Sequence, residues 1–233
     1  MTARDSWRAE LAGRDPSTWP AYLSEHSGLP GPRANTELAV AVAELADEAS
    51  ARRMIDTGDE YLTMCAAVTL AARSAEVVSN VTLRALACDP RWRVREGVVL
   101  GLQVRADTAP QEVLRIAADW AADPDPLVQR AAVAALCEPR LLRTADQAAS
   151  AVAICRTTTS ALAQLPADRR REPGVRTLRQ ALGYCWSVAV AADPGPGLVA
   201  FRTLAARNDL HADPDVAWII AENLRKKRLA RLL

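Results

Sequence analysis

Apolar residues return at helical spacing along most of the chain, and Asp-Pro dipeptides cut that pattern into segments. From Thr36, which suits an N-cap, Leu38, Val42 and Leu45 share one face. From residue 60 to about 73, Leu62, Ala66 and Leu70 fall at i, i+4 and i+8. The same periodicity predicts helices over about 75–88, 94–102, 109–122, 127–136, 144–165, 175–192 and 196–207, and from Val216 to the C-terminus. Asp89-Pro90 and Asp123-Pro124 stop the helices before them, because proline cannot continue the backbone ladder and restricts the residue that precedes it. Residues 166–173, which hold Arg169-Arg170-Arg171, read as a charged turn or loop. Residues 1–36 carry Pro16, Pro20, Pro30 and Pro32 with Trp7 and Trp19, a mixture that suits a short helix and a loop-rich N-terminal cap. The division expected is therefore a cap over 1–36 and a repeat domain over 37–233, in one elongated domain.

The segments repeat. Asp89-Pro90 is followed by Val94 and Leu102, Asp123-Pro124 by Val128 and Leu136, and Asp213-Pro214 by Val216 and Leu224. Each Leu lies 8 residues after its Val, and 34 residues separate Asp89 from Asp123. A period in the thirties with helical content is the mark of a solenoid of stacked helix pairs, here roughly ten or eleven helices in about five pairs. The Val and Leu positions are expected to face the core, with Gly97, Gly101, Ala132 and Ala135 allowing close helix approach.

Composition narrows the picture. Half the residues are hydrophobic but only 4% are aromatic, and the wealth of alanine favours close-packed helices over strands. The net charge of +1 balances 29 basic against 28 acidic residues, so affinity for nucleic acid or membrane requires segregation of charge onto one face. Lysine occurs only at Lys226 and Lys227; the bias toward arginine suits bidentate phosphate binding but is more simply a GC-rich coding preference. Cys65, Cys88, Cys137, Cys155 and Cys185 are odd in number and widely spaced, and read as small buried hydrophobes in a reducing compartment. No signal-peptide core or membrane-spanning apolar run stands out, so a soluble cytoplasmic protein is expected. His26 and His211 lie in no metal-ligand spacing, and neither a nucleophile elbow nor a phosphate-binding glycine loop occurs. No metal and no cofactor are expected.

With Asp-Pro turns, Val94-Arg95-Glu96 and Val128-Gln129-Arg130 at the start of second helices, and alanine and leucine thereafter, the chain resembles bacterial HEAT-like repeat proteins, chiefly over 85–140 and 205–233. The resemblance implies an all-α, right-handed α-solenoid of about five HEAT-like helix pairs, an armadillo-like fold. Most members of that superfamily are interaction scaffolds, but it also includes lyases acting on bilin chromophores and DNA glycosylases for alkylated purines. Likeness to the glycosylases implies a duplex-DNA groove for DNA alkylation repair, with Trp120 and Asp123 or Asp119 near the damaged nucleotide, helped by Trp92 and by Arg130 or Arg156. Their tryptophan-aspartate-x-x-aspartate order is replaced here by Asp119-Trp120-Ala121-Ala122-Asp123.

Each candidate has two readings. Arg95, Glu96 and Arg130 open second helices, where an arginine holds the turn aspartates by charge-assisted hydrogen bonds or reaches a ligand. Asp89, Asp123 and Asp213 cap helices or accept from that ladder. Arg91, Trp92 and Arg93 either stack on a base and grip phosphate, or lid a repeat junction. Trp218 matches Glu96 and Arg130 in register and is expected to be partly exposed. Arg225-Lys226-Lys227-Arg228 with Arg231 forms a basic amphipathic final helix, either a nucleic-acid contact or a polar terminal cap. The first expectation is a non-enzymatic scaffold for a protein partner; the second is a duplex-DNA-binding protein of the glycosylase type.

Overall fold

A computed structural model describes residues 2–73, 81–206 and 213–233. Among the described residues there are 14 α-helices and no strand. No helix among them is long and apolar enough to cross a membrane. The chain divides into two compact units, Met1–Thr108 and Ala109–Leu233.

In the first unit, α1 (Ala3–Ala12), α2 (Trp19–Glu25), α3 (Thr36–Leu45), α4 (Glu48–Asp56), α5 (Glu60–Arg73), α6 (Val81–Ala87) and α7 (Trp92–Ala106) follow in order. Helix α5 is the hub: α3 and α7 lie against it, α4 precedes it and packs on it, and α6 packs on α7. The segment 1–36 contributes α1, which packs on α3, and α2, which packs on α5. Every residue of α5 from Tyr61 to Ala71 is buried, which is why its apolar character is continuous rather than striped. Gly97 and Gly101 permit a close approach of α7 to α5. A Cβ on Gly101 would stand 2.5 Å from the Val68 carbonyl oxygen and 2.6 Å from Ala71 Cβ, and one on Gly97 2.7 Å from the Met64 carbonyl oxygen.

The C-terminal ends of these helices are closed by arginines from the next helix in the row. Arg73 of α5 donates to the carbonyls of Ala43 (3.3 Å) and Glu44 (2.8 Å) in α3, and Arg105 of α7 donates to Ala72 of α5 (3.3 Å). A cation there satisfies carbonyls that have no partner within their own helix and meets the negative end of its dipole.

In the second unit, α8 (Pro110–Ala121), α9 (Pro126–Leu136), α10 (Ala145–Ala163), α11 (Pro173–Ala192), α12 (Pro194–Ala206), α13 (Pro214–Leu224) and α14 (Lys227–Ala230) form two rows. Helices α8, α10 and α12 neighbour one another in turn, α9, α11 and α13 do the same, and α8 pairs with α9 as α10 does with α11. Buried Asn223 binds α13 to α11: its Oδ1 accepts from the Ser187 backbone N–H (2.8 Å), and its Nδ2 donates to the carbonyls of Leu182 and Ile219 (2.8 Å each).

The structure corrects several expectations. The N-cap of α3 is Asn35, whose Oδ1 accepts from the Leu38 N–H at 3.1 Å, and Thr36 is already helical. Leu45 is exposed because α3 buries a broad apolar face built around Ala39, Val40 and Ala41 as well as Leu38 and Val42. Helix α4 is absent from the periodic pattern because its apolar content is thin, but Asp47 caps it by accepting from the Ser50 N–H, and Ala51 and Met54 are buried. The helix expected over 75–88 is described only from Val81, and residues 75–80 lie outside the described residues, as do Arg207 and His211. The final helix breaks at Lys226, which takes an extended conformation, so that α14 turns back and buries Leu229. Val94, Val128 and Val216 are buried as the repeat requires; Leu224, its third leucine, is not.

Replacing Gly101 by alanine sets helix propensity, which favours alanine by about 1 kcal/mol, against contacts with backbone and a Cβ that cannot swing away. The expected outcome is a net loss of about 1–3 kcal/mol, read as a fall in Tm, while Gly195→Ala, whose Cβ meets nothing within 4 Å, causes none. A higher Tm for Gly101→Ala would contradict the close packing of α5 and α7.

Candidate functional site

The Asp-Pro turns are built by their own side chains. Asp89 Oδ1 accepts from the Arg91 backbone N–H (2.8 Å), and its two carboxylate oxygens take the Arg91 Nε (2.9 Å) and Nη2 (2.8 Å) in a bidentate pair. Arg91 Nη1 then reaches the Gly58 carbonyl at 2.9 Å, tying this turn to the one before α5. Arg95 Nη1 donates to the Asp89 carbonyl at 2.6 Å, and Gln129 Nε2 donates to the Asp123 carbonyl at 2.7 Å, both across six residues. The two turns share this bond although one donor is charged and the other neutral. Asp123 accepts from the Asp125 N–H, and Asp125, not Asp123, caps α9.

In the third turn Asp213 caps α13 by accepting from the N–H groups of Asp215 and Val216, and it also accepts from Arg170. Arg170 donates to the Leu165 and Ala163 carbonyls at the end of α10, and Asp215 takes Arg179 at 2.8 Å. The charged segment 166–173 is therefore partly an internal latch: Arg170 joins α10 to α13, while Arg169 pairs with Glu172 on the surface. No local signal exposed this role, since the partner aspartate lies 43 residues away.

The cations expected to meet a ligand are largely engaged. Arg93 donates to the Gly31 carbonyl (3.1 Å) and to Glu60 (3.4 Å), linking α7 to the Ser27–Asn35 loop. That loop is itself bonded: the Asn35 N–H donates to the Ser27 carbonyl, Asn35 Nδ2 to the His26 carbonyl, and Tyr61 OH to the Asn35 carbonyl at 2.6 Å. Trp92 stands between these fixed points with 51% of its surface exposed, and the Arg93 guanidinium lies 5.3 Å from its ring centroid. The remaining half of Trp92 is an apolar face on a rigid frame.

No family model, curated protein or solved structure matches the chain.

Trp120 is 0% exposed and fills the core of the second unit, so in this structure it offers no face to a nucleobase. Its helical phase, buried alongside Val113, Ile116 and Ala117, is what local pattern left open. Arg156 is exposed on α10, in the row opposite α9, and Arg130 is half-buried on α9. Trp218 is partly buried as expected, its ring against Gly183 and the Arg179 guanidinium 4.7 Å from its centroid. Lys226 and Arg225 pair with Glu222, Lys227 is exposed, and Arg228 lies over Tyr184. His26 packs among Trp7 and Tyr22, and its Nδ1 contacts the Tyr22 carbonyl at 2.9 Å.

Sequence spacing carries no sign that Cys137, Cys155 and Cys185 meet. The Cys137 and Cys155 sulfurs are 3.8 Å apart, and Cys185 is close enough to Cys137 to shift its titration. Hydrogen bonding among the thiols and burial hold Cys137 and Cys185 well above the ordinary thiol range. A raised pKa keeps these thiols protonated, and they pack as apolar groups between α9, α10 and α11.

Asp89 carries a measurable pH signature. Its hydrogen bonds from Arg91 hold its pKa below the ordinary carboxylate value, so the stability it contributes is present above the unfolded pKa of about 4 and is lost as pH falls through the lower folded value. Asp89→Asn is expected to cost about 1–3 kcal/mol at neutral pH, with the gap to wild type narrowing below about pH 4 in urea melts. A gap independent of pH would show that the Asp89–Arg91 pair does not hold the turn.

Proposed function

We propose that the chain is a helical-repeat scaffold of the HEAT-like type, an α-solenoid that holds a protein partner and performs no catalysis of its own. The ordered pairing of α8 with α9 and α10 with α11, in two rows, supports the repeat reading, as does the shared bond of Arg95 and Gln129 to their turn aspartates. The observation that carries the function is Trp92: half exposed, flanked by arginines already bonded within the fold, and set on a turn fixed to Gly58, Glu60 and Gly31. A preorganised tryptophan loses little conformational freedom on binding and is the residue type most enriched among interface hot spots.

The competing reading, a duplex-DNA-binding relative of the alkylpurine glycosylases, requires free guanidiniums beside an accessible aromatic and a carboxylate. Arg91 and Arg93 direct their donors to Asp89, Gly58, Glu60 and Gly31, which weakens that reading at this turn.

A photocrosslinking amino acid at position 92, compared with one at Arg156, separates the two. Discrete protein adducts in cells from position 92 and not from 156 are expected, and Trp92→Ala should weaken the captured complex by about 2 kcal/mol or more while changing stability by no more than about 0.5 kcal/mol. Tight binding of a DNA duplex that falls steeply with salt, together with no adduct at position 92, would replace the scaffold by the DNA reading.

A further inference from the structure

The second unit carries a surface that neither Trp92 nor the Asp-Pro turns account for. On α11, Arg176, Gln180 and Tyr184 are exposed and recur at every fourth position, so they form one stripe. Beside it α13 ends in Leu224, 43% exposed, and the break at Lys226 returns α14 over the end of the stripe. Arg228 Nη2 donates to Tyr184 OH at 2.8 Å, and its guanidinium lies 4.8 Å from the ring centroid; Leu229, fully buried, anchors the turn.

Carboxylates are scarce here. Helices α11 and α14 hold none, and Glu172, which precedes α11 four residues before Arg176, pairs with Arg169. The two on α13 are Asp215, paired with Arg170 and Arg179, and Glu222, which serves Arg225 (2.5 Å) and Lys226 (3.6 Å). Arg176, Lys227 and Arg228 make no ion pair among the described residues. The result is a cationic face with apolar ground at Tyr184, 41% exposed, and Leu224.

We propose that this face binds an acidic, leucine-bearing segment of a partner protein, with carboxylates on Arg176, Lys227 and Arg228 and an apolar side chain on Tyr184 and Leu224. The proposal deepens the scaffold reading and rests on it, through a surface separate from Trp92. The apolar ground favours a peptide over nucleic acid, because Leu224 offers nothing to phosphate. A peptide carboxylate gains charge-assisted bonds from the three cations, and its leucine loses exposed apolar area.

The test uses the full chain and a fluorescein-labelled peptide of Glu-Glu-Leu repeats, with a Lys-Lys-Leu peptide and an unlabelled DNA duplex as comparisons. Binding of the acidic peptide alone is expected, weakened about tenfold or more by Lys227→Glu and by Arg176→Glu, both at exposed positions, and by Tyr184→Ala. Trp92→Ala should leave it unchanged. Arg228→Glu would also disturb α14, so Lys227→Glu and Arg176→Glu are the deciding variants, each checked for wild-type helical circular dichroism. Equal affinity for both peptides, indifference to those two substitutions, or displacement of the peptide by the duplex would each overturn the proposal. Failure here alongside a crosslink at position 92 would remove this surface and leave the scaffold reading in place.

Discussion

A turn between two helices leaves carbonyls that neither helix can use, and the arrangement of this chain follows from how those groups are paired. In two of the three Asp-Pro turns the aspartate carbonyl accepts from a side chain six residues on, Arg95 in one and Gln129 in the other. The third turn is two residues shorter before its valine, and there Arg170, from segment 166–173 before α11, pairs with the Asp213 carboxylate. At the opposite ends of α3 and α5 the same need is met by Arg73 and Arg105. Arginine thus serves backbone carbonyls at both ends of the first unit's helices, a use of Arg73, Arg91, Arg95 and Arg105 that needs no phosphate.

That use of arginine also explains which parts are legible in the sequence. The Asp-Pro period, the buried valines and the close-packing glycines are local or periodic, and pattern alone locates them. Gly97 and Gly101 in particular mark a helix contact because they recur at i and i+4 on the face toward α5. The partners of the charged groups are not local. Arg93 meets Gly31 across 62 residues and Arg170 meets Asp213 across 43, so a cluster such as Arg91-Trp92-Arg93 looks the same in sequence whether its donors face solvent or the fold. The burial of Trp120 is illegible in the sequence for a related reason. One residue of helical phase, about 100°, separates a tryptophan in a groove from one in the core, and three cysteines from separate segments meet in the same core without any local signal.

The break at Lys226 is the point where burial overrides propensity. A continuous helix through Arg225, Lys226, Lys227 and Arg228 would satisfy its own backbone, yet the chain turns and restarts one turn of helix. The gain is the burial of Leu229, about 2 kcal/mol by apolar area, and the seating of Arg228 on Tyr184.

Charge segregation in the second unit is a consequence of its internal latches. Asp213 and Asp215 sit where solvent barely reaches them, neutralised by Arg170 and Arg179, so the carboxylates of α13's first turn never contribute to the outer face. Glu222 answers two cations at once. What is left along α11 and α14 is positive by subtraction, in a chain that carries nearly equal numbers of acids and bases. Near-neutral composition and a locally cationic surface are therefore compatible, because the fold withdraws acid into its turns while the long side chains of Arg176, Lys227 and Arg228 keep their charge in water.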